Sequence, residues 1–248
     1  MASSEQSIPQ EPKYYVVKRH LLELIVDLEP GAPVPTERDL ASLLGTSRTT
    51  VRQALAELVG EGRLFRRQGA GTFVAEPKLR WPLQPRSFTE QTRASGLTAS
   101  SVLLDAKRMN APAQLAEDLG IAPRAPVYRI DRLRQADGRP IAIEISWLSA
   151  ERFPGLTRLL RSNPSLRALL AERYGVTVNH AEMTIETRPA TPDDAEGLEI
   201  EVGAPLLVVS GHNDDADGNV VELGETRFRG DRLTLLAQIN PPPGRNGR

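Results

Sequence analysis

The stretch from Pro35 to Val74, PTERDLASLLGTSRTTVRQALAELVGEGRLFRRQGAGTFV, restricts what this chain can fold into more than any other. Thr36 stands where a helix cap belongs, with Asp39 three residues on as the acidic partner of a capping box and Leu40, Leu43 and Leu44 as the apolar stripe. Gly45 ends that helix. Ser47 caps the next, in which Val51, Leu55, Leu58 and Val59 fall at i, i+4, i+7 and i+8 and so face a core. With those four turned inward, Arg48, Thr49, Arg52 and Gln53 point outward, and these are the donors and hydroxyls that read base edges or grip phosphates. Beyond Gly62 the pattern changes to short β, Leu64–Arg67 and Thr72–Val74, joined by Gln68-Gly69-Ala70-Gly71, whose glycines permit a tight turn. Two capped helices followed by a basic hairpin make a winged helix-turn-helix.

Charge agrees with that reading. Between Ser47 and Arg80 there are seven Lys or Arg (48, 52, 63, 66, 67, 78, 80) against three Glu (57, 61, 76), in a chain whose formal net charge is -1. The cationic excess is local, as a nucleic-acid face requires. Arg66, Arg67 and Gln68 sit beside the wing tip, placed for a backbone or a minor groove. An arginine run taken alone is more often a solvated face; the joint pattern of caps, spacing and hairpin is what singles this one out.

The same run resembles the DNA-binding domain of the GntR family of bacterial regulators almost without gaps. The resemblance implies operator contacts by Arg38, Arg48 and Arg52, with Ser47, Thr49, Thr50 and Gln53 in support and the wing, Gln68 and Gly69, near the minor groove.

The chain's 248 residues suffice for two domains of ordinary size. It contains no cysteine, which excludes disulfides, thiolate metal sites and cysteine nucleophiles and fits a reducing cytoplasm. No apolar run reaches membrane-spanning length, and the polar start MASSEQSIPQEP lacks the apolar core of a signal peptide. The domain expectation is a disordered leader over 1–12, a DNA-binding domain over 13–76, a proline-rich linker over 77–86, an effector-binding domain over 87–240 and a disordered tail over 241–248. Tyr14–Leu28 is the first helix. Trp81, within the expected linker, is predicted to dock on one domain rather than stay exposed.

Beyond Arg86 strands and short helices alternate. Expected strands are Ser101–Met109, a hairpin of Pro126–Arg134 and Pro140–Leu148 turning at Ala136-Asp137-Gly138, then Val176–Arg188, Leu206–His212, Val220–Arg229 and Leu233–Ile239. Expected helices are Pro112–Leu119, Ser165–Tyr174 and Pro192–Leu198. Hairpin-length links make an antiparallel sheet with helices packed against it, an α+β fold. Strand parity puts Tyr128, Ile130, Arg132 and Arg134 on one side, so an apolar face runs into two arginines. Glu144 lies opposite Ile143 and Ile145 with the small Ala142 and Ser146, and Glu222 shares parity with Phe228. Two readings stay open: cross-strand pairs on a solvated face, or a pocket whose guanidiniums take an anion and whose carboxylates take hydroxyls or an amine.

The segments SFTEQTRASGL, YRIDRLRQADGRPIAIEISWL and VVELGETRFRGDR are similar to the UTRA effector domain, of chorismate lyase-like fold, that defines the HutC subfamily of GntR regulators. Within it the likeness is strongest to regulators of N-acetylglucosamine use, whose effectors are amino-sugar phosphates. That resemblance implies a phosphate held by Ser87, Phe88, Thr89, Arg132, Arg134 and Ser165, and sugar hydroxyls or amine held by Glu144 and Glu222. Phe228 stands where the motif usually has tyrosine, so the ring is kept and a hydroxyl donor lost. The expectation is a homodimeric, ligand-responsive repressor on double-stranded operator DNA, with no membrane partner, cofactor or metal. Two alternatives are a chorismate lyase-like enzyme using the same pocket and a DNA-binding module without regulation. His20, His180 and His212 are scattered through the sequence and form no triad or metal-ligand spacing.

Overall fold

The computed structural model describes residues 12–67, 69–84, 86–160 and 165–238. Gln68, the tail over 241–248 and all of the leader except Pro12 lie outside them. The chain divides into two compact units, the first ending at Lys78 and the second beginning at Leu79.

In the first unit α1 (Lys13–Val26), α2 (Glu37–Leu43) and α3 (Arg48–Gly60) precede the hairpin of β1 (Leu64–Arg67) and β2 (Gly71–Val74). One apolar cluster joins Val17, Leu21 and Ile25 of α1 to Leu40 of α2, to Val51, Ala54, Leu55 and Leu58 of α3, and to Leu64 and Val74 of the hairpin. Lys18 bridges α1 to α3 by ion pairs to Glu57 and Glu61. The expected stripe of α2 is corrected at one position: Leu43 is 69% exposed. At 100° per residue the packed side of α2 is centred between Leu40, Ala41 and Leu44, and Leu43 lies well round from it.

The second unit opens with β3 (Leu79–Pro82), inside the expected linker, followed by α4 (Phe88–Ala94), β4 (Ala99–Asn110) and α5 (Ala113–Asp118). Next come β5 (Pro126–Ala136), β6 (Arg139–Ser149), α6 (Leu156–Leu160) and α7 (Leu166–Tyr174), then β7 (His180–Pro189), α8 (Pro192–Leu198), β8 (Pro205–Asp214), β9 (Val220–Arg229) and β10 (Leu233–Leu236). A six-stranded antiparallel sheet has the order β4-β5-β6-β9-β8-β7. Asp137 and Gly138, both at positive φ, make the two-residue turn between β5 and β6.

Two sequence expectations fail together. Residues 79–82 are strand rather than linker, and β10 does not finish the main sheet: the two pair in parallel, Leu79 with Leu233 through Pro82 with Leu236. Trp81, at 3% exposure, is the reason, because its burial against Phe88, Phe228 and Leu233 pulls the segment onto the second unit. One face of the sheet carries two apolar clusters, α6 and α7 over Tyr128, Ile130 and Leu148, and the Trp81 group over Ala142 and Phe228. The other face is covered by α5 over Val127 and Trp147, and by α8 over Ile143 and Val208.

Candidate DNA interface and effector pocket

The basic face of the first unit begins at the amino end of α3. Ser47 Oγ accepts the Thr50 backbone N–H at 3.1 Å and lies 2.8 Å from the Thr50 hydroxyl, so both side chains are engaged in the cap. That cap fixes the first turn, from which Arg48, Thr49, Arg52 and Gln53 stand exposed. Arg52 is oriented: its Nε and Nη2 donate to both carboxylate oxygens of Glu37 on α2, at 2.8–3.1 Å. The Arg52 hydrogen bonds hold the Glu37 carboxyl below its usual range, and the charges of Arg66 and Arg48 add to the effect. Helix α2, helix α3 and the wing therefore converge on one positive surface. Arg38 is exposed nearby, 3.6 Å from Asp39. In the wing, Phe65 stacks on Phe73 and the Arg67 guanidinium lies over Phe73, while Gly69 and Gly71 hold the positive φ of the tip.

In the second unit the sheet face between the two apolar clusters is polar. A cavity of about 160 Å³ lies there, room for about a dozen water-sized groups at ~10–15 Å³ each. Strand register explains its floor. Arg132 pairs with Glu144, Glu144 with Thr226 and Glu222 with Asn213, each carried by alternate residues that face the same way. Arg134 is braced on several sides: its Nε lies 3.4 Å from Glu144, Nη1 donates to Ser101 and Nη2 to Thr89, and its guanidinium covers the Phe88 ring at 4.5 Å. Arg132 shares Glu144 through Nη2. Its Nε and Nη1 are buried and meet no acceptor among the described residues, although Arg132 is only 3% exposed.

The charges divide accordingly. Burial works against the ionised form of Glu144, but the adjoining Arg132 and Arg134 outweigh it and hold the carboxyl below the usual range. Burial and the Glu144 charge push Glu222 upward, toward the neutral acid. Burial also brings Arg134 down to about 10, so it stays cationic at neutral pH. The cavity thus holds more guanidinium than carboxylate charge and favours an anion.

Residues 13–74 match the family described as bacterial regulatory proteins of the gntR family, and residues 94–234 match the UTRA domain. The chain belongs to the GntR family. It is 35% identical over 228 residues to the transcriptional repressor NagR of Bacillus subtilis, covering 91% of this chain and 93% of that one. It is 36% identical over 234 residues to the repressor PhnF of Mycolicibacterium smegmatis, covering 94% of each. The crystal structure of PhnF superposes with a TM-score of 0.66 at 34% identity, covering 91% of this chain and all of that one. This GntR-family chain is therefore of the HutC type, a DNA-binding transcriptional regulator with a UTRA domain. Its relatives are repressors rather than enzymes, which removes the catalytic alternative. Among the described residues no helix is long and apolar enough to cross a membrane.

Of the effector residues expected from the sequence, Ser87, Phe88, Arg132, Arg134, Glu144, Ser165, Glu222 and Phe228 line the cavity of this GntR-family regulator. Thr89 stands behind it, against Arg134. Ser87 is occupied by a capping box, with its hydroxyl and N–H both donating to Glu90, whereas Ser165 caps α7 by accepting the Ala168 N–H. Phe228 packs edge-on against Trp81 and belongs to the aromatic wall. Sequence reasoning missed Arg167 and Asn213, which also line the cavity and are joined at 3.1 Å. Asn213 in turn donates to Glu222 at 3.0 Å. Asn213 was within reach of the parity argument, since it shares alternation with Val209; Arg167 stands in the first turn of a helix already expected.

Proposed function

We propose that this regulator is a homodimeric repressor whose operator affinity is set by a small anionic effector, an amino-sugar phosphate or a close relative, bound in the UTRA cavity. The observation that carries the effector class is Arg132, a cavity-lining guanidinium whose buried Nε and Nη1 meet no acceptor among the described residues. Leaving such donors unsatisfied costs about 1–3 kcal/mol each, more for a charged group, and a phosphate or carboxylate oxygen satisfies them. The amino end of α7, capped by Ser165 beside Arg167, adds donors of the same kind. Glu222, held toward its neutral form, is suited to a hydroxyl, and the Trp81, Phe88 and Phe228 wall to the apolar face of a sugar ring.

On the DNA side Arg48 and Arg52 take base edges and phosphates in the major groove, Arg38 takes a phosphate, and Gln68 and Gly69 approach the minor groove. Dimer symmetry is matched by a near-palindromic operator. The domain limits follow the same division, with 13–76 for DNA and the segment from 79 onward for the effector, and the cytoplasm is the compartment that fits a DNA partner. The NagR and PhnF relatives support the repressor sign.

The test is fluorescence anisotropy on DNA upstream of the protein's own gene, titrated with glucosamine 6-phosphate, N-acetylglucosamine 6-phosphate and other sugar phosphates. The expected outcome is a specific complex dissolved by one of them, with Arg132→Ala losing the response while still binding DNA. A specific complex unaffected by every phosphorylated sugar overturns the effector class.

A further inference from the structure

Two of the chain's three histidines, 32 residues apart in sequence (180 and 212), meet at the β7–β8 edge of the sheet. His180 is the direct cross-strand partner of Asp214, and His212 precedes Asp214 by two residues on the same side of β8. One carboxylate oxygen, Asp214 Oδ2, lies 3.2 Å from His180 Nδ1 and 3.4 Å from His212 Nε2. All three potential donor atoms fall within 4.8 Å of one another. The geometry points to a transition-metal site, held by His180 Nδ1, His212 Nε2 and an Asp214 carboxylate oxygen, that takes Zn²⁺ or an ion of similar preference and leaves its remaining position to solvent.

Three observations carry this. First, metal–donor bonds of about 2.0–2.2 Å at tetrahedral angles put neighbouring donors about 3.3–3.6 Å apart, and the two separations from Asp214 Oδ2, 3.2 and 3.4 Å, fall at the short end of that range. The third edge, between the two imidazoles, stays within 4.8 Å, and His180, with a side chain 65% exposed, has the freedom to turn inward. Second, Asp214 Oδ1 is buried and no donor meets it among the described residues, although the side chain is only 13% exposed. A carboxylate with one oxygen left over is short of positive charge. Third, the donor set suits the ion: two imidazoles and one carboxylate select a borderline dication over Ca²⁺ or Mg²⁺, which take oxygen alone. Close strand approach keeps the donors together, since a Cβ at Gly211, beside His212, would lie 1.9 Å from the Glu182 carbonyl oxygen.

The site adjoins the effector cavity, whose lining includes His212. Asn213, between two of the ligands, turns to the opposite face and donates to Glu222. A bound ion would therefore tie the edge strand β7 to β8 at the point where β8 enters the cavity wall.

Chelator-treated, tag-free, full-length protein is titrated with Co²⁺ and then competed with Zn²⁺. One equivalent per chain, giving the intense visible absorption of a four-coordinate Co²⁺ ion that Zn²⁺ abolishes, is the expected result. Asp214→Ala and His212→Gln each weaken binding by at least about tenfold, while His20→Gln on α1 leaves it unchanged. In the unmutated protein Co²⁺ broadens two of the three imidazole proton resonances, a readout that depends on no variant. Absence of saturable binding overturns the site. So does stoichiometric binding that survives both Asp214→Ala and His212→Gln, or broadening that includes His20.

Discussion

Arg132 and Arg134 stand two residues apart on β5 with equal burial, yet their surroundings give them different work. Arg134 is enclosed by Glu144, Ser101, Thr89 and Phe88, whereas Arg132 is held by Glu144 and keeps two buried nitrogens without an acceptor among the described residues. Glu144 serves both. Removing its charge strands two buried guanidiniums, so Glu144→Gln is expected to destabilise the second unit by about 3–5 kcal/mol in urea unfolding, with inorganic phosphate restoring part of the loss. An unchanged midpoint would show that the carboxylate does not balance the pair. Glu222 supplies a pH signature. Its carboxyl is raised in the folded protein, so folding favours the protonated form; that contribution is complete below the ordinary value of 4.5 and is lost as pH rises through the raised one. Glu144 is depressed, so its contribution is present above 4.5 and is lost as pH falls through the lowered value. An anionic effector raises Glu222 further, and its affinity is expected to fall as pH rises through that range. Calorimetric titrations at a series of pH values check this: Glu222→Gln should flatten the dependence, and an undiminished slope in that variant would assign it elsewhere.

At the scale of elements, what the sequence made legible was whatever depends on near neighbours. Thr36, Ser47, Ser165 and the Pro192 helix were readable as caps and starts because capping is a three-residue event, and the β5–β6 hairpin because Asp137-Gly138 permits only one kind of turn. The pairing of β3 with β10 was not readable, since it joins residues some 150 positions apart (79 to 233) and rests on where Trp81 finds its apolar partners. The same holds for His180 and His212, whose separation hides what strand pairing brings together. The Ser47 cap gives a test of α3 as an element. Ser47→Ala should cost about 1 kcal/mol of stability in the first unit and weaken operator binding, because the fraying turn carries Arg48 and Thr49. Ser47→Asp should restore the stability while leaving operator binding weak, since its charge faces the phosphates. Thermal unfolding read beside anisotropy separates the two effects, and recovery of both together would mean that Ser47 acts on DNA only through the helix.

For the whole molecule, the two compact units have separate cores and separate chemistry, so regulation is a question of free-energy coupling rather than of a shared site. An effector that changes operator affinity by some factor must have its own affinity changed by the same factor when operator DNA is bound. A coupling of about 1–3 kcal/mol corresponds to roughly 5- to 150-fold in each direction. The prediction is quantitative reciprocity: effector titrations of free protein and of the operator complex should differ by the factor seen when DNA is titrated with and without effector. Arg48→Ala adds a control that belongs to this scale, because it removes a proposed DNA contact of the first unit and leaves every cavity-lining residue unchanged. It should weaken operator binding roughly tenfold or more and lower its salt dependence if the contact is to phosphate, while effector affinity in the absence of DNA stays as it was. If Arg48→Ala also altered effector affinity in the free protein, the units would be coupled before DNA arrives, and the equilibrium that the effector biases would already be set in the unliganded protein.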